Sequence, residues 1–90
     1  MTLTSLTVSK AKPRDKQYKL TDERGMYLLI LPSGGRYWRL RYQFGGKSKS
    51  LALGVYPDVS LAKGRERRDR ARELLADGTD PSGHRKEAEA

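Results

Sequence analysis

The chain has 90 residues, enough for one domain with a thin hydrophobic core. Its 36% hydrophobic and 33% charged residues fit a soluble globular domain, and the absence of cysteine excludes disulfides and thiolate metal sites. Nineteen Lys and Arg against eleven Asp and Glu give a net charge of +8, which calls for a polyanionic partner or for nothing beyond a basic, solvated surface.

The first elements are polar. Ser5 to Ala11 suits a short helical turn that Pro13 stops. Lys10, Lys12, Arg14 and Lys16 make residues 1–17 a basic N-terminal arm, or equally a frayed, solvated terminus. The start, Met1-Thr2-Leu3-Thr4-Ser5-Leu6, lacks the basic and then apolar run of a signal peptide, and no apolar stretch approaches the ~20 residues of a membrane span. A cytoplasmic location and no membrane contact are expected.

Residues 18–54 read as three or four antiparallel strands. Tyr18-Lys19-Leu20-Thr21 is a short candidate edge, and Met26 to Leu31 is an apolar strand. Pro32-Ser33-Gly34-Gly35 signals a turn. From Arg36 to Phe44 the pattern alternates, with Trp38, Leu40, Tyr42 and Phe44 in one phase and Tyr37, Arg39, Arg41 and Gln43 in the other. Gly45-Gly46 is a two-residue hairpin turn. It sets Phe44 opposite Lys47, Tyr42 opposite Lys49, Leu40 opposite Leu51, and Trp38 opposite Leu53. Cross-strand partners share a face, so the apolar sets of both strands meet. The same parity puts Met26, Leu28 and Ile30 on the core side and Tyr27 and Leu29 on the other.

Ser60 is an expected N-cap for a helix running to about Ala76, with Gly78 as its C-cap. Leu61, Gly64, Arg68, Ala71 and Leu75 form a narrow stripe at helical spacing, which suits packing on one face of the sheet. Pro81 to Ala90 has the look of a second helix but is polar all round, so residues 80–90 read as linker. The expected fold class is α+β: a three-stranded antiparallel sheet, with room for a short fourth edge strand, packed on one C-terminal helix. The domain proper spans residues 18–79.

Chemistry narrows by elimination. His84 is the one histidine and has no ligand or carboxylate at metal or acid–base spacing, so it reads as a solvated residue. The glycine-rich turn lacks the Gly-Lys-Ser/Thr ending and following helix of a phosphate loop. No catalytic residue, cofactor or metal is expected. The charge, however, is segregated: no acid occurs from Arg24 to Pro57, while Arg24, Arg36, Arg39, Arg41, Lys47 and Lys49 do. The face opposite the helix collects Tyr27, Leu29, Arg39, Arg41, Gln43, Ser48, Ser50 and Ala52. Arg matches guanine O6/N7 and phosphate, Gln matches adenine, and an apolar contact such as Leu29 suits the thymine methyl. A plain solvated face is the other reading. Along the helix, Lys63, Arg65, Arg67, Arg70 and Arg72 interleave with Glu66, Asp69 and Glu73, which reads for most of them as a salt-bridged solvent face.

Several segments in order carry a resemblance: Ala11-Lys12-Pro13, Asp22-Glu23-Arg24-Gly25-Met26-Tyr27-Leu28, Pro32-Ser33-Gly34-Gly35-Arg36-Tyr37-Trp38, Leu53-Gly54-Val55-Tyr56-Pro57, Ser60-Leu61-Ala62 and Gly78-Thr79-Asp80-Pro81. Together they resemble the N-terminal arm-type DNA-binding domain of phage and genomic-island integrases of the tyrosine recombinase family. Lys10 stands where that family often has asparagine, Gly64 where alanine is usual, and Arg68 on the inner helix face. The resemblance implies a three-stranded sheet, backed by a helix, that enters the major groove of arm-type sites in double-stranded DNA. It also implies core-binding and catalytic domains beyond this chain, and other integrase subunits as further partners.

Two functions follow as expectations. One is DNA binding through Tyr27, Leu29, Arg39, Arg41, Gln43, Ser48 and Ser50, with Lys10 and Lys12 on phosphates, in support of recombination catalysed elsewhere. The other is a protein-interaction module that docks an acidic partner or a neighbouring subunit. RNA binding ranks third, since only Tyr27 and Tyr37 offer stacking surfaces on that face.

Overall fold

The computed structural model describes residues 3–82. Its elements are α1 (Ser5–Lys10), β1 (Tyr18–Thr21), β2 (Met26–Ile30), β3 (Arg36–Phe44), β4 (Lys47–Val55) and α2 (Leu61–Ala76). The strands form one antiparallel sheet in the order β1-β2-β3-β4. The edge strand is therefore present, and the sheet has four strands. Residues 83–90, which include His84 and most of the second helix expected after Pro81, lie outside the described residues.

Local chemistry accounts for the boundaries. Thr4 caps α1 by accepting from the Thr7 amide at 3.1 Å, and Ser60 caps α2 by accepting from Lys63 N at 3.2 Å. Gly45 and Gly46 both have positive φ, 60° and 76°, the conformation a primed two-residue hairpin turn requires. From this turn the register runs as expected through Phe44↔Lys47, Tyr42↔Lys49 and Leu40↔Leu51.

One pairing differs. Trp38 lies opposite Gly54, not Leu53, because a bulge between Trp38 and Arg39 leaves Leu53 as the extra residue of β4. The cause lies at Gly54. Its φ is +143°, and a Cβ there would sit 2.3 Å from Val59 Cγ2. Only glycine lets β4 turn under Val59 while the Leu53 side chain stays buried. The Leu53 carbonyl accepts from Arg67 Nη1 at 2.6 Å.

The core lies between the sheet and α2. Met26, Leu28, Ile30, Trp38 and Leu40 are wholly buried, joined by Tyr42, Leu53, Val59, Leu61 and Ala71. Gly64 brings α2 against the sheet, with Trp38 and Met26 beneath it. Leu3 and Val8 also enter this core, so the first residues of the arm are packed against it.

A buried polar knot ties the N-terminus to α2. The Asp22 carboxylate accepts from Arg65 Nε and Nη2 at 3.0 and 3.1 Å, from Arg68 Nη1 at 3.3 Å and from the Leu3 amide at 2.9 Å. Arg65 Nη2 also reaches the Leu3 carbonyl at 2.7 Å. Burial pushes the Asp22 carboxyl up, but the Arg65 hydrogen bonds, the Leu3 amide and the Arg65 charge outweigh it and hold the carboxyl below its ordinary value. Arg65 is thus an interior partner of Asp22, which helical spacing within α2 does not reveal. Lys63 and Glu66 do pair along the helix, at 3.8 Å.

Candidate nucleic-acid interface

The sheet has two faces, and α2 occupies one. The register assembles the other in rows across the strands: Thr21, Tyr27, Arg39 and Ala52 in one, Lys19, Leu29, Tyr37 and Val55 in the next. Arg41 pairs with Ser50 and Gln43 with Ser48 toward the hairpin tip. Tyr27, Leu29, Arg39, Arg41, Gln43, Ser48 and Ser50 therefore share one surface. Arg41, Gln43, Ser48 and Ser50 are exposed, and Tyr27, Leu29 and Arg39 are half-buried. Between Tyr27, Arg41, Ser48 and Ser50 lies a shallow hollow of about 210 Å³. The small serines create it by leaving β4 low beside the long side chains of β2 and β3.

Three further residues join this face. Lys19 and Thr21 come from β1, and Val55 follows the bulge opposite Tyr37. The Lys19 ammonium sits 4.8 Å from the Tyr27 ring centroid. Carrying the strand parity across the turn from Met26 to Thr21 would have found the first two, whereas Val55 depends on the bulge.

Lys10 and Lys12 stand apart from this set. Lys10 is in the last turn of α1. Lys12 lines a hollow of about 280 Å³ together with Thr7, Pro13, Arg14, Tyr18 and Leu20. Tyr18 and Leu20 pair with Ile30 and Leu28, so that hollow opens at the β1 edge on the core side of the sheet. The Tyr18 hydroxyl donates to the Lys12 carbonyl, and the Arg14 guanidinium lies 4.1 Å from the Tyr18 ring centroid. The arm is held in place by these contacts.

The state of the cations separates the two faces. On α2, Arg65 and Arg68 bind Asp22, Arg68 also binds Asp69 at 2.9 Å, and Arg67 caps the Leu53 carbonyl. On the open face, Arg39 and Arg41 take part in none of the ion pairs among the described residues. Lys49, on the core side of β4, is engaged by Asp80. The Tyr42 hydroxyl donates to Asp80 Oδ1 at 2.6 Å and lies 2.6 Å from Ser82 Oγ. The Lys49 and Tyr42 donors hold the Asp80 carboxyl down at about 2, while burial and the Asp80 acceptor push the Tyr42 phenol up. The chain beyond α2 is thereby fastened under β3 and β4.

The described residues contain no cluster of three metal-ligating side chains, and no helix among them is long and apolar enough to cross a membrane. The surface is open, basic and lined by hydrogen-bond donors. Its chemistry is that of a surface complementary to an anionic polymer.

Comparison with known proteins gives the same direction. A family model described as an arm DNA-binding domain matches residues 3–88. The integrase of Enterobacteria phage P4 is 45% identical across 100% of the chain, and the prophage integrase IntZ of Escherichia coli K12 is 42% identical across 88%. The putative protein IntB of the same strain is 57% identical over 68% of the chain. The chain spans only 15–21% of the length of these relatives. Residues 3–88 place it within a single family: the chain belongs to the arm DNA-binding domains of phage and prophage integrases.

Proposed function

We propose that the open sheet face binds the major groove of arm-type DNA sites, and that this serves site-specific integration and excision catalysed by domains outside the chain. Tyr27, Leu29, Arg39, Arg41, Gln43, Ser48 and Ser50 meet the base edges, and Lys10 and Lys12 meet phosphates. The observation that carries this reading is the pairing of the arginines. Four on α2, Arg65, Arg67, Arg68 and Arg72, are committed to Asp22, Asp69 or a carbonyl, while Arg39 and Arg41 on an acid-free face are not. Cations left uncommitted beside short serines suit a polyanion that approaches closely.

The test is binding of the 90-residue chain to duplex DNA over a salt series, read by fluorescence anisotropy. Log affinity should fall linearly with log salt, by roughly 0.9 per phosphate contacted. The chain alone should leave supercoiled plasmid unnicked. Undetectable duplex binding at low salt would overturn the proposal in favour of a protein-docking face.

A further inference from the structure

We infer that Arg39 is the residue that selects a guanine, reaching it end-on through Nη1 and Nη2. The inference rests on the groove-binding reading above and adds to it a base and a geometry.

Position comes first. Arg39 lies on β3, flanked by Tyr27 on β2 and Ala52 on β4. Strands lie about 4.8 Å apart, and the major groove is about 12 Å wide. Phosphates line the rims of the groove, where edge strands and loops meet them. An interior strand faces the floor, where the base edges are.

The side chain itself is constrained. Among the described residues, Arg39 Nε is the one buried side-chain nitrogen or oxygen without a hydrogen-bond partner. The residue as a whole is half-buried. A buried Nε is closed to DNA, so the side-on approach through Nε and one Nη is unavailable. The terminal pair of nitrogens is left to make contact. Tyr27, under the Lys19 ammonium, walls one side, and the short Ala52 leaves the other side open. Arg41, by contrast, is exposed at the open hollow it shares with Tyr27 and the two serines.

The base follows from the donors. Two parallel N–H groups need two adjacent acceptors. Guanine offers O6 and N7 in the major groove, adenine sets a donor beside its N7, and cytosine presents a donor. Thymine offers one acceptor and a methyl group. Among single bases, guanine alone satisfies the fork.

The experiment is selection from a randomised duplex pool by the 90-residue chain and by Arg39→Ala, which removes the fork; lysine would not serve, since its ammonium also meets guanine O6 and N7. Equal far-ultraviolet circular dichroism and thermal midpoint establish that the variant folds. The wild-type chain should enrich sites with one required guanine, and Arg39→Ala should lose the requirement at that base pair alone. Replacing this guanine by 7-deazaguanine should weaken wild-type binding about 5- to 150-fold and leave Arg39→Ala indifferent. Enriched sites without a required guanine, or a guanine that Arg39→Ala requires equally, overturn the inference and leave groove binding standing. A wild-type chain that retains no duplex overturns both.

Discussion

The indole Nε1 of Trp38 donates to the backbone carbonyl of Val59 at 2.7 Å, inside the core and beside the Gly54 bulge. One side chain thus fills the space under α2 and fixes the loop that leads into it. Trp38→Ala should cost about 3–5 kcal/mol, much of the stability of a domain this small. Trp38→Phe keeps most of the ring and leaves the carbonyl unmet, at a cost of about 1–3 kcal/mol. Urea unfolding followed by circular dichroism measures both. Equal losses would show that the packing of the ring adds nothing beyond the hydrogen bond.

Two glycines should respond with opposite signs. A Cβ on Gly64 would lie 3.5 Å from Trp38 Cγ and Cδ2 and 3.6 Å from Met26 Sδ, ordinary contact distances. Gly64→Ala should therefore stabilise by about 0.5–1 kcal/mol through helix propensity. Gly54→Ala meets both a φ of +143° and Val59 at 2.3 Å. It should destabilise by at least about 1–3 kcal/mol. Thermal midpoints moving the same way for both variants would contradict the packing described.

Much of this arrangement is legible in the chain. The alternation of Trp38, Leu40 and Tyr42 with Arg39, Arg41 and Gln43, together with the two-residue turn, fixes which residues share a face. What is not legible arises from contacts distant in sequence. Leu3 and Val8 look like part of a polar terminus, and become core because Asp22 draws in Leu3 and Arg65 together. The bulge at Leu53 is set by Val59, which no alternation reports. Asp80 reads as linker, and is engaged because Tyr42 and Lys49 are cross-strand partners that point the same way.

The Asp22 knot predicts an acid-side loss of stability. Its carboxyl is held below the ordinary value in the fold, so its contribution is present above the unfolded value near 3.8 and is lost as pH falls through the folded one. Asp22→Asn removes the charge that Arg65 and Arg68 share and leaves Arg68, whose side chain is 8% exposed, with the more exposed Asp69 as its remaining counter-charge. Near neutral pH the lost charged hydrogen bonds should cost about 1.5–3 kcal/mol. The difference between wild type and variant should shrink below about pH 4. A difference that stays constant down to the lowest pH at which both fold would remove the carboxylate charge as the cause.

Asp80→Ala should loosen the chain after α2 without disturbing the sheet. Ser82 N donates to Asp80 Oδ1 at 3.1 Å, and Tyr42 and Lys49 lose their acceptor with it. Amide exchange at Ser82 should quicken by about 2- to 10-fold, the equivalent of one ordinary hydrogen bond. Amides of Leu40 and Leu51 should not change. Acceleration throughout β3 and β4 would mean that the fastening supports the sheet itself.

Recognition and attraction should fall on different basic residues, because these occupy two separate places on the sheet. Arg41 and Gln43 lie on the open face opposite Ser50 and Ser48, whereas Lys12 lies by the β1 edge on the other side of the sheet. In a groove-bound sheet the first two meet base edges and the third meets the backbone. Losing a bidentate base contact costs about 1–3 kcal/mol and relaxes preference at one base pair. Losing a phosphate contact weakens every sequence alike and lowers the salt slope by about one unit. Arg41→Ala and Gln43→Ala should narrow the affinity gap between a selected site and a scrambled duplex. Lys12→Ala should preserve the gap and flatten the salt dependence. The measurement is anisotropy with both duplexes over a salt series for each variant. Should the sheet variants weaken both duplexes equally, or neither, recognition would have to come from the arm or α2 rather than from the open face.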